Sequence, residues 1–278
     1  MKITVLDKAT LGEDINLKPL YDAGDVVEFD ITPPEKIGER IADTDVVVIN
    51  KIKLNETNLC FAKNLKLICV AATGYDNIDL GFCKNNGIAL CNVPGYSTDS
   101  VAQLTLSMAL SLYTNLFSYR DYVNSGEYSK SGVANKLTPV YHEIAGKTFG
   151  VVGGGKIASK VASVASALGC NVIMCRQKNE GDYPLCDIDT LCRESDIISL
   201  HLPLNENTRG LITRERIASM KKGVLLINTA RGAVCDEDAL AAYKRLCPSG
   251  DGIVGNRWAW IDEPWPWEPD ANETEGCR

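Results

Sequence analysis

Short apolar runs rich in β-branched residues alternate with helix-like segments along most of this chain. Five such runs lie in the first hundred residues, at 2–6, 26–29, 45–50, 65–72 and 88–93. Apolar residues on consecutive positions are typical of strands that are buried on both faces of a parallel sheet. Intervening segments such as 34–42, which opens at a proline pair, favour helix. The alternation predicts an α/β domain.

A second series of the same kind starts at Gly146. Strands are expected at 148–152, 171–175, 196–202 and 223–229, and helices at 156–168, 214–220 and 236–243. A long helix over 97–117, followed by a surface loop at 124–139, is expected between the two series. At roughly 150 residues per domain, 278 residues suggest two domains. We therefore predict an α/β protein with two doubly wound parallel-sheet domains.

Composition narrows the class of protein further. Apolar residues make up 45% of the chain and charged residues 23%, as in a globular protein, which argues against a disordered or collagenous chain. The net charge of −7 does not favour a nucleic-acid partner. The N-terminus has no apolar signal core and no run approaches about 18 apolar residues, so we expect no membrane segment and a cytoplasmic location. The eleven cysteines include no C-x-x-C pair, which favours reduced structural thiols and no metal site.

The sequence Gly153-Gly154-Gly155-Lys156-Ile157-Ala158 fits the pattern G-x-G-x-x-(G/A) directly between a predicted strand and a predicted helix. Glycines there permit a tight turn and a close approach of a pyrophosphate to the backbone, while the last position must be small for packing. The pyrophosphate would lie at the N-terminus of the helix. Three consecutive glycines can also be a simple turn, but this context favours dinucleotide binding. Gly153, Gly155, Lys156 and Ile157 are the predicted cofactor residues.

Arg176 follows the next predicted strand, about 20 residues after the glycines. An NAD-binding protein usually carries a carboxylate there for the ribose 2′-hydroxyl, but the first carboxylate here is Glu180. A guanidinium suits a 2′-phosphate instead. The alternative is an exposed basic loop. We interpret Arg176 as favouring NADP(H) within an NAD(P)-binding site.

Arg231 belongs to the segment Asn228–Gly232 at the end of a strongly apolar predicted strand. Ligands of open α/β sheets bind beyond the carboxyl ends of the strands. An arginine there can bind a substrate carboxylate and polarise a carbonyl oxygen. It could equally cap a helix or form a salt bridge, and spacing alone does not decide between these roles.

The chain resembles the D-isomer-specific 2-hydroxyacid dehydrogenases. Five motifs carry the resemblance in order: ATGYDNIDL at 72–80, NVPGYSTDSVAQ at 92–103, the glycine turn, HLPLNENT at 201–208 and NTARG at 228–232. The second motif is most similar to the hydroxypyruvate reductase and glycerate dehydrogenase branch. The resemblance implies a flavodoxin-like substrate domain and a Rossmann dinucleotide domain, with a homodimer formed through the latter. It also implies reduction of small 2-oxo acids such as hydroxypyruvate or glyoxylate with NAD(P)H.

The resemblance further implies roles for individual residues. The substrate carboxylate would be held by backbone groups around Ala72, Thr73 and Gly74, with Lys51 or Lys53 nearby. Arg231 would be catalytic. Further cofactor contacts would come from Val101, His201, Pro203, Thr208, Thr229 and Arg231.

The chain departs from the family pattern near its end. The family places an acid/base histidine and an orienting carboxylate after the arginine, yet the only histidines are His142 and His201, and all four tryptophans lie within 258–267. We expect domains at 1–97 and 98–250, and an aberrant tail at 251–278 in place of a returning segment. Our hypothesis is a shifted reading frame, with loss of the outer strand and impaired activity. The alternative for the tail is a real but divergent C-terminus. The alternative to an enzyme is a catalytically silent NAD(P)-binding or regulatory protein of the same fold.

Overall fold

The computed structural model describes residues 1–176, 182–246 and 253–255, with the backbone alone for 243–246 and 253–255. The chain divides into two units, Met1–Ser97 and a second that begins at Thr98. Each contains a parallel sheet with helices between the strands. The predicted α/β fold with two doubly wound domains is confirmed.

The first unit has a five-stranded sheet. Its strands are β1 (Lys2–Val5), β2 (Asp25–Glu28), β3 (Val46–Ile49), β4 (Leu67–Val70) and β5 (Ala89–Asn92). Its helices are α1 (Lys18–Ala23), α2 (Ile37–Ile41), α3 (Glu56–Leu59) and α4 (Leu80–Asn85). The order is β2-β1-β3-β4-β5, the flavodoxin-like arrangement, and the strand order reverses between β1 and β3.

Two apolar clusters cover the faces of this sheet. Ile41, Leu54 and Ile68, all fully buried, belong to the larger cluster, to which α2, α3 and α4 contribute. Ile3 and Val5 lie in a smaller cluster on the other face, against which Leu20 of α1 packs. Because the apolar positions of each strand are consecutive, they supply both clusters at once.

The second unit begins with three helices: α5 (Thr98–Tyr113), α6 (Leu116–Asn124) and α7 (Glu127–Ser131). Its described strands are β6 (Thr148–Val152), β7 (Asn171–Cys175), β8 (Ile197–Leu200), β9 (Leu225–Asn228) and β10 (Ile253–Gly255). The helices among them are α8 (Lys156–Ala167), α9 (Ile188–Glu194), α10 (Arg214–Ser219) and α11 (Glu237–Leu246). The sheet order is β10-β9-β8-β6-β7, which reverses between β6 and β8.

Helices lie on both faces of the second sheet. Phe149 and Val151 of β6 pack with α5 and α8 in one cluster. Val152 packs with α9, α10 and α11 in another. The sheet is therefore doubly wound, and its strands end along one edge, where ligands bind in open α/β sheets.

The structure corrects three details of the sequence analysis. The predicted helix over 97–117 is interrupted, because Asn115 adopts a left-handed conformation with φ 53° and donates from Nδ2 to the Val140 carbonyl at 2.7 Å. Asparagine tolerates this conformation better than most residues. The predicted loop at 124–139 contains the short α7. The outer strand that we expected to be lost is present as β10, parallel to β9.

The hypothesis of a shifted reading frame concerns residues from 256 onward. These residues, including all four tryptophans, lie outside the described part of the chain.

Candidate functional site: a dinucleotide cradle at the sheet edge

The glycine turn connects β6 to α8. Gly155 is the N-cap residue of α8, with extended backbone and no side-chain cap. The first amide groups of an α-helix have no intrahelical acceptor, so an uncapped N-terminus offers N–H donors and a partial positive charge to an anion. Gly155 and Lys156 are exposed. Ile157 is partly buried against the core beside α8.

Gly153 allows two strand ends to approach closely. It has φ 131°, a conformation that L side chains rarely adopt, and a Cβ there would lie 2.4 Å from the carbonyl oxygen of His201. Its amide donates to the Cys175 carbonyl at 2.9 Å. The turn is thereby tied to the ends of β7 and β8. A Cβ on Gly155 would meet nothing within 4 Å, which leaves that side of the turn open.

Arg176 lies beside the turn, directly after β7. A Cβ on Gly154 would lie 3.2 Å from the Arg176 Cβ, so the two positions are neighbours. The Nε and Nη2 atoms of Arg176 are buried and have no hydrogen-bond partner among the residues that the structure describes. Buried side-chain donors are nearly always paired, because an unpaired one costs about 1–3 kcal/mol. Two unpaired guanidinium donors thus indicate a position suited to an anionic ligand.

The residues after β9 form a tight turn. The Asn228 side chain accepts from the Ala230 amide at 3.0 Å and donates to the Arg231 carbonyl at 2.8 Å. Arg231 is partly buried, has extended backbone angles and precedes a short 3-10 helix, Gly232–Val234. Its Nη1 donates to the Ala230 carbonyl at 3.0 Å. The turn therefore fixes the backbone from which the guanidinium extends.

A chain of polar side chains links α5, β9 and β8. Thr105 is fully buried; its hydroxyl donates to the Val101 carbonyl at 2.8 Å and lies 3.3 Å from the Thr229 hydroxyl. The Thr229 hydroxyl lies 3.5 Å from Nδ1 of His201, whose Nε2 is 3.1 Å from the hydroxyl of buried Ser199. The predicted residues Val101, Thr229 and His201 are brought together by this chain.

The environment of His201 keeps its imidazole neutral. Burial lowers the pKa of His201 to about 4. The two nitrogens of the neutral ring lie near hydroxyl groups, that of Ser199 in β8 and that of Thr229 after β9. The other histidine, His142, is exposed and makes an edge contact with the ring of Tyr113 at 6.0 Å. Among the described residues, neither ring has a carboxylate partner of the kind that the resemblance implies.

The loop after β8 is closed by a hydroxyl. Thr208 donates to the Pro203 carbonyl at 2.6 Å and accepts from the Asn205 amide at 2.9 Å. Pro203 is exposed at the start of this loop and Thr208 is partly buried. Both predicted residues thus belong to one compact loop that continues from His201.

The first unit carries the predicted substrate loop at the end of β4. The Ala72 carbonyl accepts from the Val93 amide at 3.0 Å, and the Thr73 hydroxyl donates to the Val93 carbonyl at 3.0 Å. The Asn92 side chain donates to the Thr73 carbonyl at 2.8 Å. Gly74 is partly buried. Residues 72–74 are therefore fixed on the segment that follows β5.

Asp7 organises the backbone near the predicted Lys51. It follows the end of β1, is 4% exposed, and its carboxylate accepts from the amides of Asn50, Lys51 and Ile52 at 2.6–3.2 Å. The carboxylate lies where the strand order of this sheet reverses. Lys51 and Lys53 have exposed side chains. The three amides are held by charge-assisted hydrogen bonds, which are stronger than neutral ones.

Three polar residues of these sites were missed in the sequence analysis. Asp7 could have been found, since it directly follows an apolar strand at the edge where ligands bind. Thr105 and Ser199 lie within apolar runs, and nothing in their local sequence indicates a polar contact.

Among the residues that the structure describes, no helix combines the length and apolarity needed to cross a bilayer.

The fold, the glycine turn and the two buried donors of Arg176 beside it are those of a dinucleotide-binding α/β protein. The family model "D-isomer specific 2-hydroxyacid dehydrogenase, NAD binding domain" matches residues 106–245. The chain is 41% identical over 204 residues to hydroxypyruvate reductase from Thermotoga maritima, covering 72% of this chain and 65% of that protein. It is 32% identical over 255 residues to glycerate dehydrogenase from Methylorubrum extorquens, covering 91% and 78%.

A solved structure gives the same result. The D-lactate dehydrogenase from Aquifex aeolicus, described as complexed with NAD and lactic acid, superposes with a TM-score of 0.80 at 32% identity. The match covers 92% of this chain and 76% of that one. The chain belongs to the D-isomer specific 2-hydroxyacid dehydrogenase family, whose members are oxidoreductases with a nicotinamide dinucleotide as cofactor.

Proposed function

We propose that this chain reduces a small 2-oxo acid of the hydroxypyruvate or glyoxylate type with NAD(P)H. The proposal rests on the groups that follow the strands at one edge of the second sheet. The glycine turn after β6, His201 after β8, and Thr229 and Arg231 after β9 all follow strands that end at that edge. The names of the relatives, hydroxypyruvate reductase and glycerate dehydrogenase, support this substrate class.

The described residues fit a dinucleotide. The open side of Gly155 and the uncapped N-terminus of α8 suit a pyrophosphate, and the unpaired donors of Arg176 suit a 2′-phosphate. We therefore propose a preference for NADP(H). When bound, the reduced nicotinamide supplies the hydride for the carbonyl carbon. Val101, Pro203, Thr208 and Thr229 are proposed to line the cofactor site.

Arg231 is the proposed catalytic residue. Its guanidinium would bind the substrate and stabilise the negative charge that develops on the carbonyl oxygen. The amides of residues 72–74 and Lys51 are proposed to hold the substrate carboxylate. This role is supported by the hydrogen bond that fixes the loop after β4 and by the bond through which Asp7 holds the backbone at Lys51.

A second candidate is a catalytically silent NAD(P)-binding protein of the same fold. The surroundings of the two histidines favour it: within the described part of the chain, His201 is neutral between two hydroxyl groups and His142 makes an edge contact with the ring of Tyr113. Neither histidine has the position of a general acid, and such a group contributes about 10²–10⁴-fold to the rate. The described cradle would still bind the nucleotide.

The decisive experiment measures binding and turnover on the same preparation. NADPH binding is followed by fluorescence, and turnover by the loss of NADPH absorbance with hydroxypyruvate or glyoxylate. For an active enzyme, we expect Arg231→Gln to lower kcat/KM by about 10²-fold or more, the range for removal of a group that stabilises a developing oxyanion. Arg214→Gln, on the exposed start of α10, is the matched control and should retain activity. Nucleotide binding without any turnover would favour the silent protein instead.

We also propose a homodimer through the second unit, in the cytoplasm. Eight exposed apolar side chains lie between residues 104 and 141: Leu104, Leu116, Val123, Tyr128, Val133, Leu137, Val140 and Tyr141. Concentration of apolar surface on one segment is typical of an interface. All nine cysteines in the described part of the chain are free, which supports a reducing compartment.

A further inference from the structure

Two cysteines lie directly opposite each other in the first sheet. Cys69 of β4 and Cys91 of β5 are register partners in a parallel pair. Neighbouring strands are about 4.8 Å apart, and a disulfide spans Cα separations of about 4.4–6.8 Å. The strand pairing therefore places the two Cα atoms at a separation that a disulfide can span.

Both thiols lie on the same, less covered face of the sheet. Ile68 and Val70, which flank Cys69, belong to the large cluster on the opposite face, and Leu90 packs against that cluster. Cys69 contributes to the edge of the smaller cluster and is half-buried, whereas Cys91 is exposed. An oxidant in solution can thus reach Cys91 first, with Cys69 next to it.

The other cysteines of the described chain differ in ways that matter for reactivity. Cys60 is exposed but has no cysteine beside it in a strand pair. Burial raises the pKa of Cys186 and of Cys192 to about 11 and that of Cys235 to about 12, which suppresses the reactive thiolate. Burial also raises the pKa of Cys69, so the exposed Cys91 is the thiol that reacts first in this pair. Cys69 and Cys91 alone, among the described strands, combine an exposed thiol with a partner in register.

We propose that Cys69 and Cys91 form a redox modification site that a hydroperoxide converts to a disulfide. The Cys91 thiolate attacks the terminal oxygen of the hydroperoxide; the O–O bond breaks, and Cys91 becomes a sulfenic acid while the peroxide leaves as an alcohol or as water. The Cys69 sulfur then attacks the Cys91 sulfur and displaces hydroxide, which takes up the Cys69 proton. In sum, two thiols and one hydroperoxide give one disulfide, one alcohol or water, and one further water.

The disulfide would connect the strands that carry the proposed substrate loop. One residue pair beyond Cys69 and Cys91, Val70 pairs with Asn92, whose side chain binds the Thr73 carbonyl. A covalent bond at this pair would restrict the movement of the two strands relative to each other and, through Asn92, the position of this loop. As a consequence that rests on the proposed function, oxidation should raise KM for the 2-oxo acid while the Kd for NADPH stays unchanged.

The test uses the full chain with hydrogen peroxide as the oxidant. Free thiols are alkylated after oxidation, and peptide mapping locates the products. We expect a 69–91 disulfide that dithiothreitol reverses. Cys91→Ser should prevent it, Cys69→Ser should leave a sulfenic acid at Cys91 that dimedone traps, and Cys60→Ser should change nothing.

The mapping result decides the proposal without any need for turnover. If Cys91 is oxidised no faster than Cys60 in the unmutated chain, or if the disulfide forms between Cys175 and Cys186 instead, the proposed site is wrong. Because thiol mapping does not depend on activity, a chain that binds NADPH without turnover would contradict the proposed function and leave the redox site testable.

Discussion

The proposed choice of cofactor depends on one residue, Arg176. Its backbone position follows from β7, but its Nε and Nη2 atoms are buried without partners next to Gly154. Desolvation of these donors is offset only when an anion binds, because a charge-assisted hydrogen bond contributes about 1.5–3 kcal/mol. The side chain is therefore better suited to a phosphate than to a hydroxyl.

Replacement of this guanidinium should change the preference between the two nucleotides. We expect Arg176→Gln to raise the Kd for NADPH about tenfold or more, since at least one charge-assisted bond is lost. The Kd for NADH should change much less. Fluorescence titration with both nucleotides measures this, with Arg193→Gln on the exposed side of α9 as the control. Equal weakening of both nucleotides would contradict the proposed phosphate contact.

His201 should make the stability of the protein depend on pH. Its pKa is about 6.5 without burial and about 4 in the folded chain. The unfolded chain binds more protons at this site between those values, so the free energy of unfolding should decrease as the pH falls from 6.5 to about 4. His201→Asn should flatten this part of the profile, measured by urea unfolding at each pH.

The exposed histidine provides the control for that profile. His142→Asn is the matched substitution at the other histidine, whose ring is exposed. Carboxylates such as Glu28, whose pKa is lowered by hydrogen bonds from Lys8 and Tyr21, lose their contribution below about pH 4.5 and are distinguishable from His201. A slope that survives His201→Asn would show that other groups cause it.

At the scale of elements, the turn between β6 and α8 depends on three adjacent glycines for different reasons. Gly153 provides a positive φ and room for the His201 carbonyl, Gly154 leaves room for Arg176, and Gly155 begins α8 with open space around it. Only the first of these requirements concerns backbone strain. The turn therefore separates a requirement of folding from the proposed role in binding within three residues.

Alanine substitutions should separate these two functions. Gly153→Ala should destabilise the chain by about 1–3 kcal/mol, since it combines a strained φ with a close contact. Gly155 has an ordinary extended conformation, and a Cβ there would meet no atom within 4 Å. Gly155→Ala should therefore change the free energy of unfolding by less than about 0.5 kcal/mol while NADPH binding weakens. Denaturant unfolding and nucleotide titration are the measurements; similar effects of both variants on stability would contradict this assignment.

The interruption at Asn115 shows the limit of local patterns in an element. The apolar residues continue from α5 into α6, and their pattern predicts one helix. The structure ends α5 at Tyr113, because Asn115 enters the left-handed region and binds the Val140 carbonyl, 25 residues away. No property of the segment 97–117 alone specifies that contact.

At the scale of the whole molecule, each unit has its own sheet and its own apolar clusters. In both sheets the strand order reverses next to the first strand, and a polar feature occupies that place: Asp7 in the first unit, the glycine turn in the second. In the first unit, the Asp7 carboxylate already accepts hydrogen bonds from three backbone amides of that unit. In the second unit, the glycine turn is open at Gly155. The dinucleotide is therefore proposed for the second unit.

The proposed dimer has a direct test at this scale. Light scattering should give twice the chain mass of 30.2 kDa. The double variant Leu116→Glu/Val123→Glu, at exposed positions of α6, should give the monomer mass and retain NADPH binding. Ile31→Glu, 74% exposed in the first unit, is the control. A monomer mass for the unmutated chain would contradict the dimer proposal.

The sequence by itself determined the α/β class, most of the strands and the glycine turn. These features are local: consecutive apolar residues specify buried parallel strands, and glycines between a strand and a helix specify a tight turn. The motif NTARG and the absence of histidine between Arg231 and the end of the sequence are equally plain from the residues alone.

Only the tertiary structure decided the environment of the polar groups. The low pKa of His201, the buried unpaired donors of Arg176, the hydroxyl chain through Thr105, and the pairing of Cys69 with Cys91 all depend on residues from separate strands and helices. Burial, hydrogen-bond partners and strand register are properties of neighbours in space. Residues in contact that lie 20 to 124 positions apart along the chain do not alter the local sequence pattern around each other.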